Sequence, residues 1–215
     1  MFKNLKILWY TLQLSKNPNN TELVFKLSKT LTEGFSKDDL EREIEPILSQ
    51  NPGILEMYKS KNPIWVEEKY DLKALSMYKK NSLAQLYANH MLDLGFKPDF
   101  YPHDKNQDIV SFLENRNNKT HDIWHVVTGF GTDVYGEMAL QAFYHAQFAS
   151  ADTGFVIISG ILGAIQSGDS SQMDKVIASI SEGYTLGKTY KPLFGVKWEE
   201  LWNEDLETIR ISLKK

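Results

Sequence analysis

Two histidines and two carboxylates lie close together in the second half of the sequence. His121, Asp122 and His125 fall within one short stretch, and Glu137 follows His125 after eleven intervening residues. Imidazole nitrogens and ionised carboxylates are good donors for zinc, iron, manganese or cobalt. Two histidines and one acid also leave coordination positions open for water or a substrate. The pattern therefore predicts a divalent-metal site that can support chemistry, with His121, His125 and Glu137 as direct ligands.

The spacing of the two histidines suits one face of an α-helix. Side chains four residues apart on a helix lie roughly 40° apart around its axis and one turn apart along it. Asp122 lies roughly 100° from His121 around the same axis. It is expected to be either a fourth metal ligand or a catalytic acid–base group beside the ion.

Glu137 can join this site only if the chain turns back after His125. Twelve more residues of continuous helix would carry Glu137 roughly 18 Å farther along the axis. Gly129, Gly131 and Asp133 interrupt the apolar period, and such residues are typical of turns and helix caps. The sequence therefore predicts a helix, a short loop and a second helix.

This stretch, HDIWHVVTGFGTDVYGE, resembles the signature of the Coq4 family of coenzyme Q biosynthesis proteins, in which HDxxH is followed after eleven residues by glutamate. The resemblance covers residues 80–215, and residues 1–80 match only weakly. The other matching residues are Ser82-Leu83, Tyr87, Pro98-Asp99, Gly129, Thr132, Gly136, Gly187, Trp198-Glu199, Leu206, Arg210 and Leu213.

The chain departs from the family pattern in two places. The family commonly has an arginine-rich stretch before the first histidine, where this chain has Asn117-Asn118-Lys119-Thr120. A second glutamate commonly follows the first by about two helical turns, where this chain has Tyr144. The resemblance therefore indicates a divergent member.

The resemblance implies a role in the synthesis of ubiquinone or another prenylquinone. The implied ligands are a polyprenylated aromatic precursor, or another isoprenoid lipid, and a divalent metal. Zinc is the expected metal, with iron, manganese, cobalt and magnesium as alternatives. One implied activity is oxidative decarboxylation or hydroxylation of a prenylated hydroxybenzoate. The alternative is a non-catalytic protein that binds prenyl lipids or organises other quinone-biosynthesis enzymes, so enzyme activity is left open. The family also implies a homodimer at a membrane surface.

Residues 154–165, GFVIISGILGAI, form the most apolar stretch of the chain. As a helix they would reach roughly 18 Å and could not cross a bilayer core of about 30 Å. Their small residues would let a neighbouring helix or a slender ligand approach closely. Periodicity alone favours a buried helix, whereas the family resemblance favours an apolar groove for an isoprenoid chain. The predicted lipid-binding residues are Met138, Phe143, Phe148, Phe155, Ile158, Gly160, Leu162 and Gly163.

Composition narrows the classes of function. The 215 residues are 42% hydrophobic and carry a formal net charge of -4. No basic, aromatic-rich stretch suggests nucleic-acid binding. The chain has no cysteine, so a metal site must use nitrogen and oxygen ligands. The first residues lack an uninterrupted apolar core, so we expect no signal peptide and an intracellular location, cytoplasmic or on the inner face of a membrane.

Apolar residues recur every three or four positions, and no alternating run competes with them. The expected fold is all-α, a single-domain multi-helix bundle over residues 1–215. Helices are expected to begin after Asn20, Ser36 and Ser82, and to stop at the glycines Gly34, Gly95 and Gly168. The polar run 114–120 is expected to be a loop that ends in a cap at Thr120, before the HDIWH helix.

Several features have a second interpretation. Histidines four apart with a distant acid also occur in zinc proteases, but Asp122 stands where their HExxH motif has glutamate, and its shorter side chain would lie farther from a zinc-bound water. The apolar residues Phe2, Leu5, Leu8, Trp9 and Leu12 could dock on a bilayer, although packing on the core is the favoured interpretation. The other histidines, His90, His103 and His145, are expected to be ordinary residues.

Overall fold

The computed structural model describes residues 2–18, 20–98, 100–101, 103–104 and 108–215. Within these ranges the chain forms α-helices and two short 3-10 turns, at Pro63–Trp65 and Trp198–Leu201, and no strand. The predicted all-α class is confirmed. The helices are α1 (Phe2–Lys16), α2 (Thr21–Leu31), α3 (Lys37–Gln50), α4 (Pro52–Ser60), α5 (Leu72–Ser76), α6 (Leu83–Leu94), α7 (Ile109–Thr128), α8 (Val134–Phe148), α9 (Ala151–Ser167), α10 (Ser170–Thr189) and α11 (Leu206–Leu213).

The helices fall into two compact units. Unit 1 comprises residues 1–40 and 130–189, and so contains α1, α2, the start of α3, and α8 to α10. Unit 2 comprises residues 41–129 and 190–215, with the rest of α3, α4 to α7, and α11. Across the described ranges, no helix is both long and apolar enough to span a membrane.

Local capping chemistry sets several helix boundaries as predicted. The side chain of Asn20 accepts a hydrogen bond from the Leu23 N–H, and Ser82 accepts one from the Gln85 N–H. Each bond satisfies an amide that has no partner inside its own helix. At the carboxyl ends of α6 and α9, Gly95 and Gly168 adopt φ values of 67° and 69°, a left-handed conformation that glycine reaches without strain.

Close helix packing in unit 1 depends on glycine. A Cβ atom at Gly183 of α10 would overlap the carbonyl oxygen of Ala139 in α8, and one at Gly160 of α9 would overlap the Met138 side chain. A Cβ at Gly163 would lie 2.7 Å from the carbonyl oxygen of Ser15 in α1. The small residues of the apolar stretch therefore admit neighbouring protein atoms at these points.

The polar run 114–120 is helical, so the predicted loop is wrong. α7 begins at Ile109, and its N-cap is Asp108, which accepts a hydrogen bond from the Ser111 N–H. Asn115 is buried because its side chain makes two hydrogen bonds with the backbone of Asp104. Thr120 is buried inside the helix and donates to the carbonyl of Arg116, so it is no cap. Asn115 and Thr120, two of the polar residues that suggest a loop in the sequence, are therefore buried and hydrogen-bonded.

The apolar face of α1 is exposed, and the expectation that it packs on the core is wrong. Phe2 is 79% exposed, and Leu5, Leu8 and Trp9 are each more than half exposed. The buried residues of α1 are instead Thr11, Leu14 and Ser15, toward its carboxyl end. The core contacts of this helix therefore use a different set of residues from the apolar stripe that the sequence displays.

Candidate metal centre

Three of the predicted ligands come together on α7. His121, Asp122 and His125 each offer a donor atom, and these atoms lie within 4.8 Å of one another. The two imidazole rings meet edge to face, with their centroids 4.9 Å apart. Donors bound to one zinc ion lie about 2.0–2.2 Å from it, so small side-chain rotations would let all three reach a common ion. This donor set fits a divalent cation, and we call it the α7 triad.

The rest of α7 holds the triad in place. Ile123 and Trp124, between Asp122 and His125, and Val127, after His125, are fully buried and anchor the helix in the core. The indole of Trp124 packs edge to face against Phe194, with centroids 5.4 Å apart. Arg210 of α11 donates hydrogen bonds to the carbonyls of Val126 and Val127 at 2.9 and 2.8 Å. The last turn of α7 is therefore fixed from the side of the core.

α6 adds two residues to the surroundings of the triad. The ring of His90 stacks on His125, with centroids 6.1 Å apart and 25° between the planes. Burial lowers the pKa of His90, and the neighbouring His125 and His121 lower it further, whereas the Asp122 charge opposes them. Burial also raises the pKa of Tyr87, and the negative charge of Asp122 adds to that effect. His90 and Tyr87, one turn apart on α6, therefore both lie within the field of Asp122.

A cavity of about 680 Å³ lies next to the triad in unit 2. Tyr101 connects the two, because it lines the cavity and its ring contacts the edge of His121 at a centroid distance of 5.8 Å. The cavity wall carries both signs of charge, from Lys61, Lys69 and Lys119 and from Glu67, Glu68 and Asp108. Burial lowers the pKa of Lys119 to about 8, while Glu199 opposes that change. Asp99, part of the predicted Pro98-Asp99 turn, lies outside the described residues.

The predicted helix–loop–helix is present. α7 ends at Thr128 and Gly129 follows with φ 82°, donating its N–H to the carbonyl of His125. Asp133 caps α8 by accepting hydrogen bonds from the N–H groups of Tyr135 and Gly136. Glu137 lies in the first turn of α8, in unit 1. Its participation in metal binding stays a prediction.

A family model described as coenzyme Q (ubiquinone) biosynthesis protein Coq4 matches residues 10–214 of this chain. The chain belongs to the Coq4 family. The match includes the α7 triad, Glu137 and most of both units. The predicted family is therefore confirmed, and the match extends over most of the first eighty residues, where the resemblance of individual residues is weak.

Individual Coq4 relatives are distant in sequence. The mitochondrial ubiquinone biosynthesis protein COQ4 homologue of Anopheles gambiae is 23% identical over 147 residues, which cover 66% of this chain and 50% of the relative. The mitochondrial COQ4 of Komagataella phaffii is 25% identical over 201 residues, which cover 92% of this chain and 63% of the relative. The chain spans about half the length of most curated relatives that it matches.

A solved structure shares the fold over almost the whole chain. It is the crystal structure of a protein from Nostoc punctiforme PCC 73102 that is provisionally named a ubiquinone biosynthesis protein. The two chains are 26% identical and superpose with a TM-score of 0.78, covering 98% of this chain and 97% of the other. The helical fold is therefore common to this chain and that protein.

The predicted lipid-binding residues of this Coq4-family chain all lie in unit 1, in different surroundings. Met138 and Phe143 are buried, Phe148, Phe155 and Leu162 are partly exposed, and Ile158 is 45% exposed. Gly160 and Gly163 lie against Met138 and Ser15. This packing is what the buried-helix interpretation expects of the glycines. Lipid binding by the set stays a prediction.

Sequence reasoning missed three residues around the α7 triad. His90, which is expected to be an ordinary residue, stacks on His125, and it lies three residues after Tyr87, a spacing that puts both on one face of a helix. Tyr101 gives no signal in the sequence. Arg116, which directly precedes the run 117–120, forms a buried ion pair with Glu199. The sequence does contain a hint of this ion pair, because Glu199 belongs to the Trp198-Glu199 match to the family pattern and a buried acid needs a cationic partner.

Proposed function

We propose that this Coq4-family chain acts in ubiquinone biosynthesis by binding a divalent cation and a polyprenylated aromatic precursor. The observation that supports the proposal most directly is the α7 triad, two imidazoles and one carboxylate with mutually close donor atoms. Glu137 is proposed as a further ligand, as the family signature implies. Residues 1–215 act in this proposal as one Coq4 domain, and other quinone-biosynthesis enzymes are its proposed partners.

In the proposed reaction the bond between the aromatic ring and its carboxylate carbon breaks, carbon dioxide leaves, and a hydroxyl group takes its place on the ring. Dioxygen accepts the two electrons, so that ArCOOH, O2 and H2O give ArOH, CO2 and H2O2. A bound divalent cation would supply Lewis acidity toward the carboxylate of the aromatic ring. His121 and His125 would hold that cation through neutral ring nitrogens. Asp122 serves either as a ligand or as the group that moves a proton, because its carboxylate lies beside both histidines and is partly open to solvent.

The cavity beside Tyr101 is the proposed site of the aromatic head group. Its volume of about 680 Å³ falls within the usual range of small-molecule sites. Lys61 and Lys119 on its wall would pair with a carboxylate or a phenolate oxygen in competition with Glu67, Glu68 and Asp108 of the same wall. Tyr101 places an aromatic surface between this cavity and His121. A ring held there would bring its carboxylate toward the triad.

We propose that the prenyl tail and the membrane surface meet unit 1. Its exposed apolar residues include Phe2, Leu5, Leu8 and Trp9 on α1, and Ile158 and Ile165 on α9. Each buried methylene of a tail contributes roughly 0.8 kcal/mol, so even partial burial would dominate the affinity. Lys6 already pairs with Glu33, so we expect membrane binding to depend more on apolar contact than on electrostatic attraction to anionic lipids. A homodimer is part of the proposal by family analogy alone.

The metal assignment is tested by metal content. Untagged wild-type protein is expected to hold about one equivalent of a divalent metal by mass spectrometry, and His121→Ala and His125→Ala are expected to lose most of it. His145→Ala is the matched control, because His145 lies in unit 1 and hydrogen-bonds Thr153 at 2.9 Å. Equal metal content in all four proteins would refute the assignment.

A second candidate function is a carrier that binds the prenylated precursor without turnover. It is favoured by Tyr144, which replaces the family's second acid with a buried aromatic ring. Incubation with a prenylated hydroxybenzoate under oxygen separates the two functions. Release of carbon dioxide supports the enzyme, whereas stoichiometric binding without product supports the carrier.

A further inference from the structure

His90 lies beside the α7 triad and has a buried nitrogen without a polar partner. This atom, Nε2, makes no hydrogen bond among the described residues. Buried polar atoms of native proteins almost always have a partner, which is protein, water or a ligand. The nearest ring contacts of His90 are Phe96, which is apolar, and His125 of the triad.

His90 is not part of the triad itself. The group of donor atoms within 4.8 Å of one another comprises His121, Asp122 and His125 only, among the described residues. The ring planes of His90 and His125 are 25° from parallel with their centroids 6.1 Å apart, whereas His121 meets His125 edge to face at 4.9 Å. The position of His90 therefore suits contact with something held by the triad better than a place among the ligands.

We propose that His90 binds the ligand of the cation site, and that its Nε2 hydrogen-bonds an oxygen of an aromatic carboxylate held at the triad. The proposal rests on the cation site of the proposed function. An oxygen anion at the triad would satisfy the buried nitrogen and would be held from two sides, by α7 and by α6. His90 would then select ligands that carry an oxygen at this position.

The test uses full-length, untagged protein loaded with cobalt(II), because the visible spectrum of cobalt reports its ligands directly. The probe is 4-hydroxybenzoate, titrated while the cobalt bands are followed. His90→Phe keeps a ring of similar shape against His125 and Phe96 but removes the nitrogen. His90→Gln restores a polar group at a similar distance from the backbone. His145→Ala is the control outside the site.

We expect His90→Phe to retain full cobalt content and the wild-type spectrum of the protein with cobalt alone. Its affinity for 4-hydroxybenzoate should fall about 10- to 100-fold, the loss typical of a hydrogen bond to a charged group. His90→Gln should recover much of that loss. His145→Ala should match the wild type in every measurement.

Three results would overturn the proposal. Loss of cobalt in both His90 variants, with helical circular dichroism retained, would make His90 a ligand of the cation. Unchanged probe affinity in His90→Phe would remove any role in binding. A wild-type protein that binds cobalt but not the probe would also refute it. If the wild type binds no cobalt, the proposed cation site itself fails, which is a distinguishable outcome because no variant is needed to see it.

Discussion

Arg116 of α7 donates two hydrogen bonds to the carboxylate of Glu199, at 2.6 and 3.0 Å, and both side chains are only 1% exposed. Tyr70 donates a further hydrogen bond to the same carboxylate at 2.5 Å. Arg116 also donates to the carbonyls of Trp65 and Val196. The helix that carries the triad is therefore tied to two distant segments of unit 2 through one buried ion pair.

Removal of one partner should destabilise the fold strongly. Arg116→Met leaves the Glu199 carboxylate buried without its cation, which costs about 3–5 kcal/mol in such pairs. The double variant Arg116→Met/Glu199→Leu should regain a large part of that loss, because no uncompensated charge remains. Urea denaturation of the two single variants and the double variant measures the coupling. If the losses in free energy of unfolding of the two single variants simply add in the double variant, the coupling between Arg116 and Glu199 is contradicted.

Two glycines of unit 1 should respond to alanine in opposite directions. A Cβ at Gly183 would overlap the carbonyl oxygen of Ala139, so Gly183→Ala should destabilise the protein by about 1–3 kcal/mol. A Cβ at Gly154 of α9 would meet no atom within 4 Å, so Gly154→Ala should stabilise the protein by about 0.5–1 kcal/mol through helix propensity. Thermal unfolding of both variants measures the difference. Stabilisation by Gly183→Ala would show that α10 does not pack tightly on α8 at Gly183, and destabilisation by Gly154→Ala would contradict the open space at Gly154.

Asp152 should make stability depend on pH. Burial raises the pKa of this carboxyl, and its hydrogen bond with Ser28 offsets only part of the effect. The folded state therefore holds the proton more tightly, and the penalty for the buried charge is complete above the folded pKa and disappears as pH falls toward the unfolded value. Asp152→Asn should be more stable than the wild type at pH 7, and this advantage should vanish near pH 3.8, the ordinary value.

Asp169 provides a control of opposite sign for the Asp152 measurement. Hydrogen bonds from Ser171 lower the pKa of Asp169, so its stabilisation is present above the unfolded pKa and is lost as pH falls through the folded one. Asp169→Asn should therefore be less stable than the wild type at pH 7. Denaturant unfolding between pH 3 and pH 7 compares both variants, and parallel curves for the two would refute these assignments.

Glu137→Gln tests the fourth proposed ligand. If Glu137 coordinates the cation, replacing its carboxylate by the neutral amide of glutamine should weaken metal affinity by at least about 10-fold. Even residues that only orient ligands contribute that much. Glu182→Gln, on the exposed surface of α10 in the same unit, is the control. Competition with a coloured chelator measures the affinities. Equal values for Glu137→Gln and the wild type would leave the α7 triad as the complete protein ligand set.

The exposed apolar face of α1 should contribute to membrane binding. The triple variant Leu5→Ser/Leu8→Ser/Trp9→Ser should bind phospholipid vesicles more than about 10-fold more weakly, since each residue loses apolar area at the interface. Met77→Ser is the control, because Met77 is 83% exposed in unit 2. Vesicle co-sedimentation measures binding. Equal loss in the triple variant and in Met77→Ser would indicate nonspecific adsorption.

The sequence predicts the features that depend on neighbours along the chain. Asn20, Ser82 and Gly95 set helix ends through bonds to residues a few positions away, and the triad gathers because one helix carries it. The prediction fails where the deciding partner is distant. Arg116 is buried because Glu199, 83 positions away, accepts its hydrogen bonds. The polar run 114–120, which contains Arg116, is therefore helical where local chemistry indicates a loop.

The prediction for α1 fails for the same reason as that loop, and the packing of His90 on His125 could not be predicted for that reason either. The stacking of His90 on His125 exists only after α6 packs on α7, and no local pattern encodes that packing. The stripe of apolar residues on α1 predicts an amphipathic helix, but periodicity does not state which surface the stripe meets. Helix caps and turns can be predicted from neighbouring residues in the sequence, whereas burial depends on how the helices pack together.

The position of His125 in the last turn of α7 has an electrostatic consequence. Aligned peptide dipoles leave roughly half a negative charge at the carboxyl end of a helix, where the final carbonyls lack partners within the helix. Of the triad, only His125 lies in that last turn, so the dipole favours a positive ion there weakly, beside the guanidinium that Arg210 already places on the carbonyls of Val126 and Val127. The same three side chains placed in the first turn of a helix would have to overcome repulsion from that dipole.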